Sequence, residues 1–123
     1  MILNFWYIEC YSCEQELPEM GELAEQYPDD ISLVVIHSST QSVSKLSIID
    51  SYVKETKGWD FWQLDNVSFT LDNSGDQSMY TAFNGTGGYP MTIVLDRSGV
   101  MRYRYTTRVS DDFFDTIQTL LSE

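Results

Sequence analysis

Cys10 and Cys13 are the only cysteines among 123 residues, and two residues separate them. Before them runs Ile2-Leu3-Asn4-Phe5-Trp6-Tyr7-Ile8, short, apolar and aromatic-rich, as a buried strand is. After them Leu17, Met20, Leu23, Ala24 and Tyr27 recur at spacings of three and four. That marks one face of a helix from Cys13 to Tyr27. Glu14, Glu16, Glu19, Glu22 and Glu25 are expected on its other sides. Pro18, about one turn inside, is expected to remove a backbone bond and bend the helix. A thiol at a helix N-terminus meets unpaired N–H groups and the positive end of the helix dipole. Both favour the thiolate, the attacking form. One helical turn brings the second sulfur within bonding reach, so the pair can attack a foreign disulfide and resolve the mixed disulfide internally. Cys10 is expected to be the more exposed attacker and Cys13 the resolver. The plainer alternative is two incidental, buried cysteines. Two are too few for a disulfide scaffold. His37 is the only histidine, so the four Cys/His ligands of a structural zinc site cannot be assembled and no metal is expected.

The rest of the chain alternates. Ile31 to Ile36 reads as a second buried strand, followed by a polar, cap-rich stretch from Ser38 to Ser44. Leu46, Ile49 and Val53 give a second helix that stops near Lys57-Gly58. Val67 to Leu71 alternates as a strand, Asn73-Ser74-Gly75 as a turn, and Gln77 to Phe83 as one short helix. Met91–Leu95 and Val100–Tyr105 flank Asp96-Arg97-Ser98-Gly99 as a hairpin. Ser110 is placed to cap a last helix with Phe113, Phe114, Ile117, Leu120 and Leu121 inward. The order βαβα-βα-ββα predicts an α/β fold, a mixed sheet flanked by helices. The length suits one domain, residues 1–123. No basic leader or small-residue cleavage site precedes the first strand, so the chain is expected to be trimmed from a longer protein.

Seven Lys and Arg oppose 19 Asp and Glu, a net charge of −12. Phosphate-backbone binding needs cations to displace counterions, so no nucleic-acid partner is expected. An anionic membrane surface is disfavoured for the same reason. The charge is uneven: residues 1–44 hold eight acids and no Lys or Arg. Arg97, Arg102, Arg104 and Arg108 are the candidates for a basic patch, or plain surface. His37, at a strand end without partner ligands, is expected to be simply hydrogen-bonded. Asp72 to Asp76 is read as a turn rather than a calcium loop, because its Gly is one place early and the distal Glu is missing.

With these segments in place, the chain resembles the thioredoxin superfamily, and within it the TlpA/ResA-like thiol-disulfide oxidoreductases. Leu3-Asn4-Phe5-Trp6, Cys10-Tyr11-Ser12-Cys13 and Glu16-Leu17-Pro18 look like the family's N-F-W … C-x-x-C-x-x-E-x-P. Tyr89-Pro90-Met91-Thr92-Ile93-Val94-Leu95-Asp96-Arg97-Ser98-Gly99 is similar to its x-P-T-x-x-x-I-D-x-x-G. A strand and helix around Phe69-Thr70-Leu71-Asp72 and Met79-Tyr80 fit the TlpA-type insert. The family's N-terminal leader and first hairpin are absent.

The resemblance implies a thioredoxin-like fold and a cis Tyr89–Pro90 bond facing the disulfide. It implies that Tyr89 pairs backbone to backbone with a bound peptide, on an approach loop made pliable by Gly85, Gly87 and Gly88. Glu16 matches an acid that handles protons during exchange; the bland alternative is one more solvated glutamate. Asn4 stands where classical thioredoxins carry a buried Asp, so that carboxylate route is absent. Glu9 replaces the usual Trp before the first cysteine, and Glu14 the usual Lys or Arg after the second. Negative charge beside a thiol raises its pKa, which predicts a reducing bias and a preference for basic clients. Tyr11 either replaces part of the missing Trp groove or is a solvent-lapped aromatic. No cofactor beyond the Cys10–Cys13 pair is implied. The expected partners are disulfides in client proteins and an upstream electron donor, with the protein a monomer. Resemblance places it outside the cytoplasm of a bacterium. Two other functions compete: a peroxiredoxin-like thiol peroxidase, disfavoured because Tyr7 stands where that family has Thr, and a redox-inactive binding module.

Overall fold

The structure, a computed structural model, describes residues 1–38 and 43–123, together with the backbone but not the side chain of Asp76. Most of the polar Ser38–Ser44 stretch lies outside the described residues. Five strands form one mixed sheet in the order β3-β2-β1-β4-β5. They are β1 (Ile2–Trp6), β2 (Leu33–His37), β3 (Val67–Leu71), β4 (Met91–Leu95) and β5 (Met101–Thr106). β1, β2 and β3 run parallel; β4 and β5 run antiparallel to their neighbours. The helices are α1 (Tyr11–Gln26), α2 (Leu46–Ser51), α3 (Met79–Ala82) and α4 (Asp111–Leu121).

Side chains alternate across a strand, so the sheet has two distinct faces. Ile2, Trp6, Leu33, Val35 and Val94 face a core completed by Leu17, Met20, Ile49 and Phe113. Leu3, Phe5, Ile36, Met91 and Ile93 face the other way, against Tyr80 and Phe83. The same alternation turns two polar residues, Asn4 and Thr92, toward the α1 side, where both are fully buried. A buried polar group needs a partner, and this pair receives one from α1.

Several boundaries differ from the sequence reading. The first strand stops at Trp6, and Tyr7 is already exposed. The first helix begins at Tyr11, with Cys10 as its N-cap, and passes through Pro18 as a single helix. α2 continues as a π-helical turn, Tyr52–Thr56, and a 3-10 turn, Phe61–Gln63, follows. The ring of Phe61 lies against Gly21 of α1 so closely that any Cβ there would strike it. The segment read as one helix from Gln77 to Phe83 divides into a 3-10 turn, Gly75–Gln77, and α3. Ser110 occupies the N-cap of α4, but its side chain makes no capping bond. Phe114 is exposed rather than inward, because Phe113 and Ile117 fill the buried stripe.

The four arginines do not form an open basic patch. Arg97 pairs with Asp30, and Arg102 with Asp96 and Glu123. Arg104 donates to the carbonyls of Phe83 and Asn84, and Arg108 to Gln15 and Glu19. Asp72 accepts from the backbone N–H groups of Asn73, Met79 and Tyr80, the role of a turn residue and helix brace.

Candidate active site

Register brings the site together. Trp6 pairs with His37 and Phe5 with Met91. The loop leaving β1, the end of β2 and the residues before β4 therefore lie at one edge of the sheet. Crevices at the carboxyl ends of parallel strands are where α/β sheets bind and react. Tyr7 and Tyr89 meet there, rings 5.2 Å apart.

In the Tyr7–Cys10 loop the Cys10 N–H bonds back to the Tyr7 carbonyl, and Glu9 takes a positive φ of 73°. Cys10 and Cys13 are joined as a disulfide, S–S 2.13 Å. The Cys13 N–H points at Cys10 Sγ, 3.4 Å away. This is the geometry of a capping side chain, with sulfur as the acceptor, and it favours negative charge on Cys10. Cys10 is 5% exposed and Cys13 0%. Cys10 is the more exposed of the two, although both are largely covered. Tyr11, the first residue of the helix, is 75% exposed and points into solvent beside the pair.

The Tyr89–Pro90 bond is cis. Pro90 is buried, and its carbonyl accepts from the Thr107 N–H. Among the described residues no backbone hydrogen bond engages the Tyr89 N–H or carbonyl. The Tyr89 hydroxyl and Ser38 Oγ lie 2.5 Å apart, which ties the ring to the end of β2. The glycine-containing approach loop is braced rather than pliable. Tyr80 and Arg104 both hold its backbone, and a Cβ on Gly85 or Gly88 would collide with Tyr80 or Thr106.

Glu16 is not a solvated glutamate. It is 0% exposed, on the buried stripe of α1 one turn beyond Cys13. One carboxylate oxygen accepts from Asn4 Nδ2 at 2.9 Å and the other from the Val109 N–H at 2.7 Å. Asn4 Nδ2 also reaches Thr92 Oγ1 at 3.3 Å. Burial pushes the Glu16 carboxyl above its ordinary value, and the two hydrogen bonds only partly oppose it. Asn4 thus supplies no carboxylate itself but anchors one.

The two acids flanking the cysteines part company. Glu9 is exposed at the rim. Glu14 turns back along the helix flank, where its carboxylate accepts from the Glu9 N–H and the Tyr52 hydroxyl and pairs with Lys57 at 2.9 Å. Burial alone would raise this carboxyl; Tyr52, Lys57 and the Glu9 N–H outweigh it and hold Glu14 below the ordinary range. Burial and the carboxylate together push the Tyr52 phenol up to about 12. The negative charge read at Glu14 is therefore largely answered by Lys57.

His37 is fully buried beneath the site. Its Nδ1–H donates to the Ser38 carbonyl, and its Nε2 accepts the Ile8 N–H at 2.9 Å. Burial lowers its pKa and keeps it neutral. It is a strut for the loop leading to Cys10. No group of residues suited to hold a metal ion occurs among the described residues.

Lys57, Tyr52, Val109 and Tyr80 were missed as site residues. Lys57 and Tyr52 are 43 and 38 positions from Glu14, and Val109 is 93 from Glu16. No local spacing connects them.

No protein-family model matches the chain. In sequence it is 27% identical over 103 residues to the thioredoxin-like protein YneN of Bacillus subtilis, covering 83% of this chain and 53% of that protein. It is 22% identical over 102 residues to the thiol-disulfide oxidoreductase YkuV of Bacillus subtilis, covering 83% and 63%. The chain thus spans between half and two thirds of the length of these relatives. Among solved structures, the exposed lipoprotein thioredoxin of Streptococcus pneumoniae superposes with a TM-score of 0.71 at 24% identity, covering 99% of this chain and 83% of that one. The chain has a thioredoxin-like fold, and its sequence is similar to thioredoxin-like and thiol-disulfide oxidoreductase proteins.

Proposed function

We propose that this protein is a thiol-disulfide oxidoreductase of the TlpA/ResA-like kind that reduces disulfides in client proteins. The observation that carries the reading is the closed Cys10–Cys13 disulfide at the start of α1, with the Cys13 N–H directed at Cys10 Sγ. In the reduced protein, Cys10 thiolate attacks a client disulfide, forms a mixed disulfide and expels one client thiolate. Cys13 passes its proton to Glu16, attacks Cys10 Sγ and releases the second client sulfur. Two electrons reach the client, and the protein ends in the disulfide form. A dithiol donor upstream resets it. No bound cofactor is required.

Residues three apart on a helix are neighbours, so the shared buried stripe supports a Cys13–Glu16 proton transfer. A carboxyl raised by burial is a stronger proton acceptor than an ordinary glutamate. Tyr89, with its backbone edge unengaged, is the proposed peptide contact beside Pro90, and exposed Tyr11 the proposed outer wall of the groove. Glu9 supplies the negative rim that makes the pair a better reductant, with a smaller part left to Glu14. The exposed lipoprotein among similar structures supports a location outside the cytoplasm. No helix among the described residues is long and apolar enough to cross a membrane. We take the whole chain, 1–123, as one domain that acts as a monomer.

Turbidimetric reduction of insulin by dithiothreitol tests the reading. Catalytic amounts of the protein are expected to shorten the lag, and Cys10→Ser to remove the effect. An unchanged lag would favour a redox-inactive binding module. Peroxide consumption faster than insulin reduction would favour the peroxidase.

A further inference from the structure

Tyr80 sits far from the cysteines in sequence and touches neither of them among the contacts described. It nevertheless reaches every turn of the loop that ends at Pro90. Its carbonyl accepts the Gly85 N–H at 2.8 Å. Its hydroxyl accepts the Gly87 N–H and donates to the Gly88 carbonyl, both at 2.8 Å. Its ring stacks on the Tyr89 ring, centroids 4.6 Å apart and planes 11° from parallel. Tyr80 is itself held. Its N–H donates to Asp72 Oδ2, and Phe5 meets its ring edge-on from the sheet. The chain of support runs from the end of β3 through Asp72 and Tyr80 into the loop.

We propose that Tyr80 is a positioning residue for client binding. It holds residues 85–89 so that the N–H and carbonyl of Tyr89, which make no backbone hydrogen bond among the described residues, are set in advance to pair with an extended peptide segment carrying the client disulfide. This rests on the reading of Tyr89 as the backbone contact. The physical gain is preorganisation: a loop already fixed loses less conformational freedom when the peptide docks. It also gives the strand-and-helix segment from β3 to α3 a task, which is to carry the brace. Glycine is required at position 85 because the Tyr80 ring fills the space a Cβ would take.

The test uses the full chain, reduced, with two probes: a synthetic peptide containing a disulfide, and oxidised 2-hydroxyethyl disulfide, which has no peptide backbone. Tyr80→Phe keeps the ring stack and removes only the hydroxyl bridge. Its KM for the peptide is expected to rise roughly three- to tenfold, about the worth of one net hydrogen bond. Its kcat and its rate with the small disulfide should stay as in the wild type. Equal losses with both probes, or no change in peptide KM, would overturn the proposal. Gly85→Ala, which pushes the ring from its seat, should reproduce the peptide-specific loss; a loss shared by both probes would again count against it.

A third probe separates this inference from the reading beneath it. The same peptide, N-methylated at the backbone nitrogens flanking its cysteine, cannot make the pairing hydrogen bonds. If methylation leaves the wild-type KM unchanged, the Tyr89 contact is wrong and Tyr80 loses its role. If methylation raises the wild-type KM while Tyr80→Phe does not, the Tyr89 contact stands and the Tyr80 proposal alone fails.

Discussion

Glu14 and Glu16 are two residues apart on α1, and they end in opposite environments. Glu14 lies on the flank of the helix, gathered by Tyr52, Lys57 and the Glu9 N–H, and is held as an anion. Glu16 lies beneath the helix against Asn4 and the Val109 N–H, and burial pushes it toward the neutral acid. A step of two residues turns a helical side chain by more than half of a turn, so neighbours in sequence face different solvents. The lesson is that charge near a cysteine motif says little until the helix face is known. The anion nearer in sequence to Cys13 is the one whose charge is answered by a lysine. The acid one turn on is the one with the chemistry to hold a proton.

This contrast breaks most readily in kinetics. Glu16→Gln is expected to slow client reduction at pH 7 by about ten- to a hundredfold, the lower part of what positioned proton transfer contributes. The amide can be accommodated, because Asn4 can turn its own amide to present Oδ1, which is buried without a partner among the described residues. Glu14→Gln should change the same rate by less than about threefold. Stopped-flow measurement with a peptide disulfide compares them, and equal effects would erase the distinction.

The two acids should also act with opposite sign on folding stability. Glu16 is raised above its ordinary 4.5, so its contribution is fully present below that value and is lost as pH rises through its folded pKa. Glu14 is lowered below 4.5, so its contribution is present above that value and is lost as pH falls through its folded pKa. Urea unfolding from pH 3 to 8 reads both. Glu16→Gln should flatten the curve on the alkaline side of 4.5, and Glu14→Gln on the acid side. A flattening on the same side for both would contradict the assignments.

The smallest effect concerns Lys57. Lys57→Met leaves Glu14 unanswered beside the reduced pair, which disfavours the thiolate. Alkylation of reduced Cys10 by iodoacetamide at pH 7 should slow about two- to threefold, and the double variant Lys57→Met, Glu14→Gln should recover the wild-type rate. No recovery would mean that Lys57 acts on the thiol directly.

Much of this was legible in the sequence, for physical reasons that can be named. The cysteine spacing after an apolar run located the site, and alternation with helical periodicity gave the strand and helix order. The burial of Glu16 was legible too and was passed over. It stands three after Cys13 and four before Met20, on the apolar stripe rather than off it. The partners that decide the acids were not legible, because Lys57, Tyr52 and Val109 come from other elements and meet α1 only through tertiary packing. The π-helical turn that carries Tyr52 has no spacing signature distinct from an α-helix. Phe114 misled because it lies about 100° round the helix from Phe113, and Phe113 with Ile117 takes the buried stripe.

On the proposed reading Cys10 attacks and Cys13 resolves. Intact-protein mass spectrometry of reduced Cys13→Ser, mixed with a peptide disulfide, tests it most directly. The expected result is one peptide added through Cys10, stable until dithiothreitol is supplied, with no adduct on Cys10→Ser. An equal adduct on Cys13 in Cys10→Ser, or none in either variant, would contradict it.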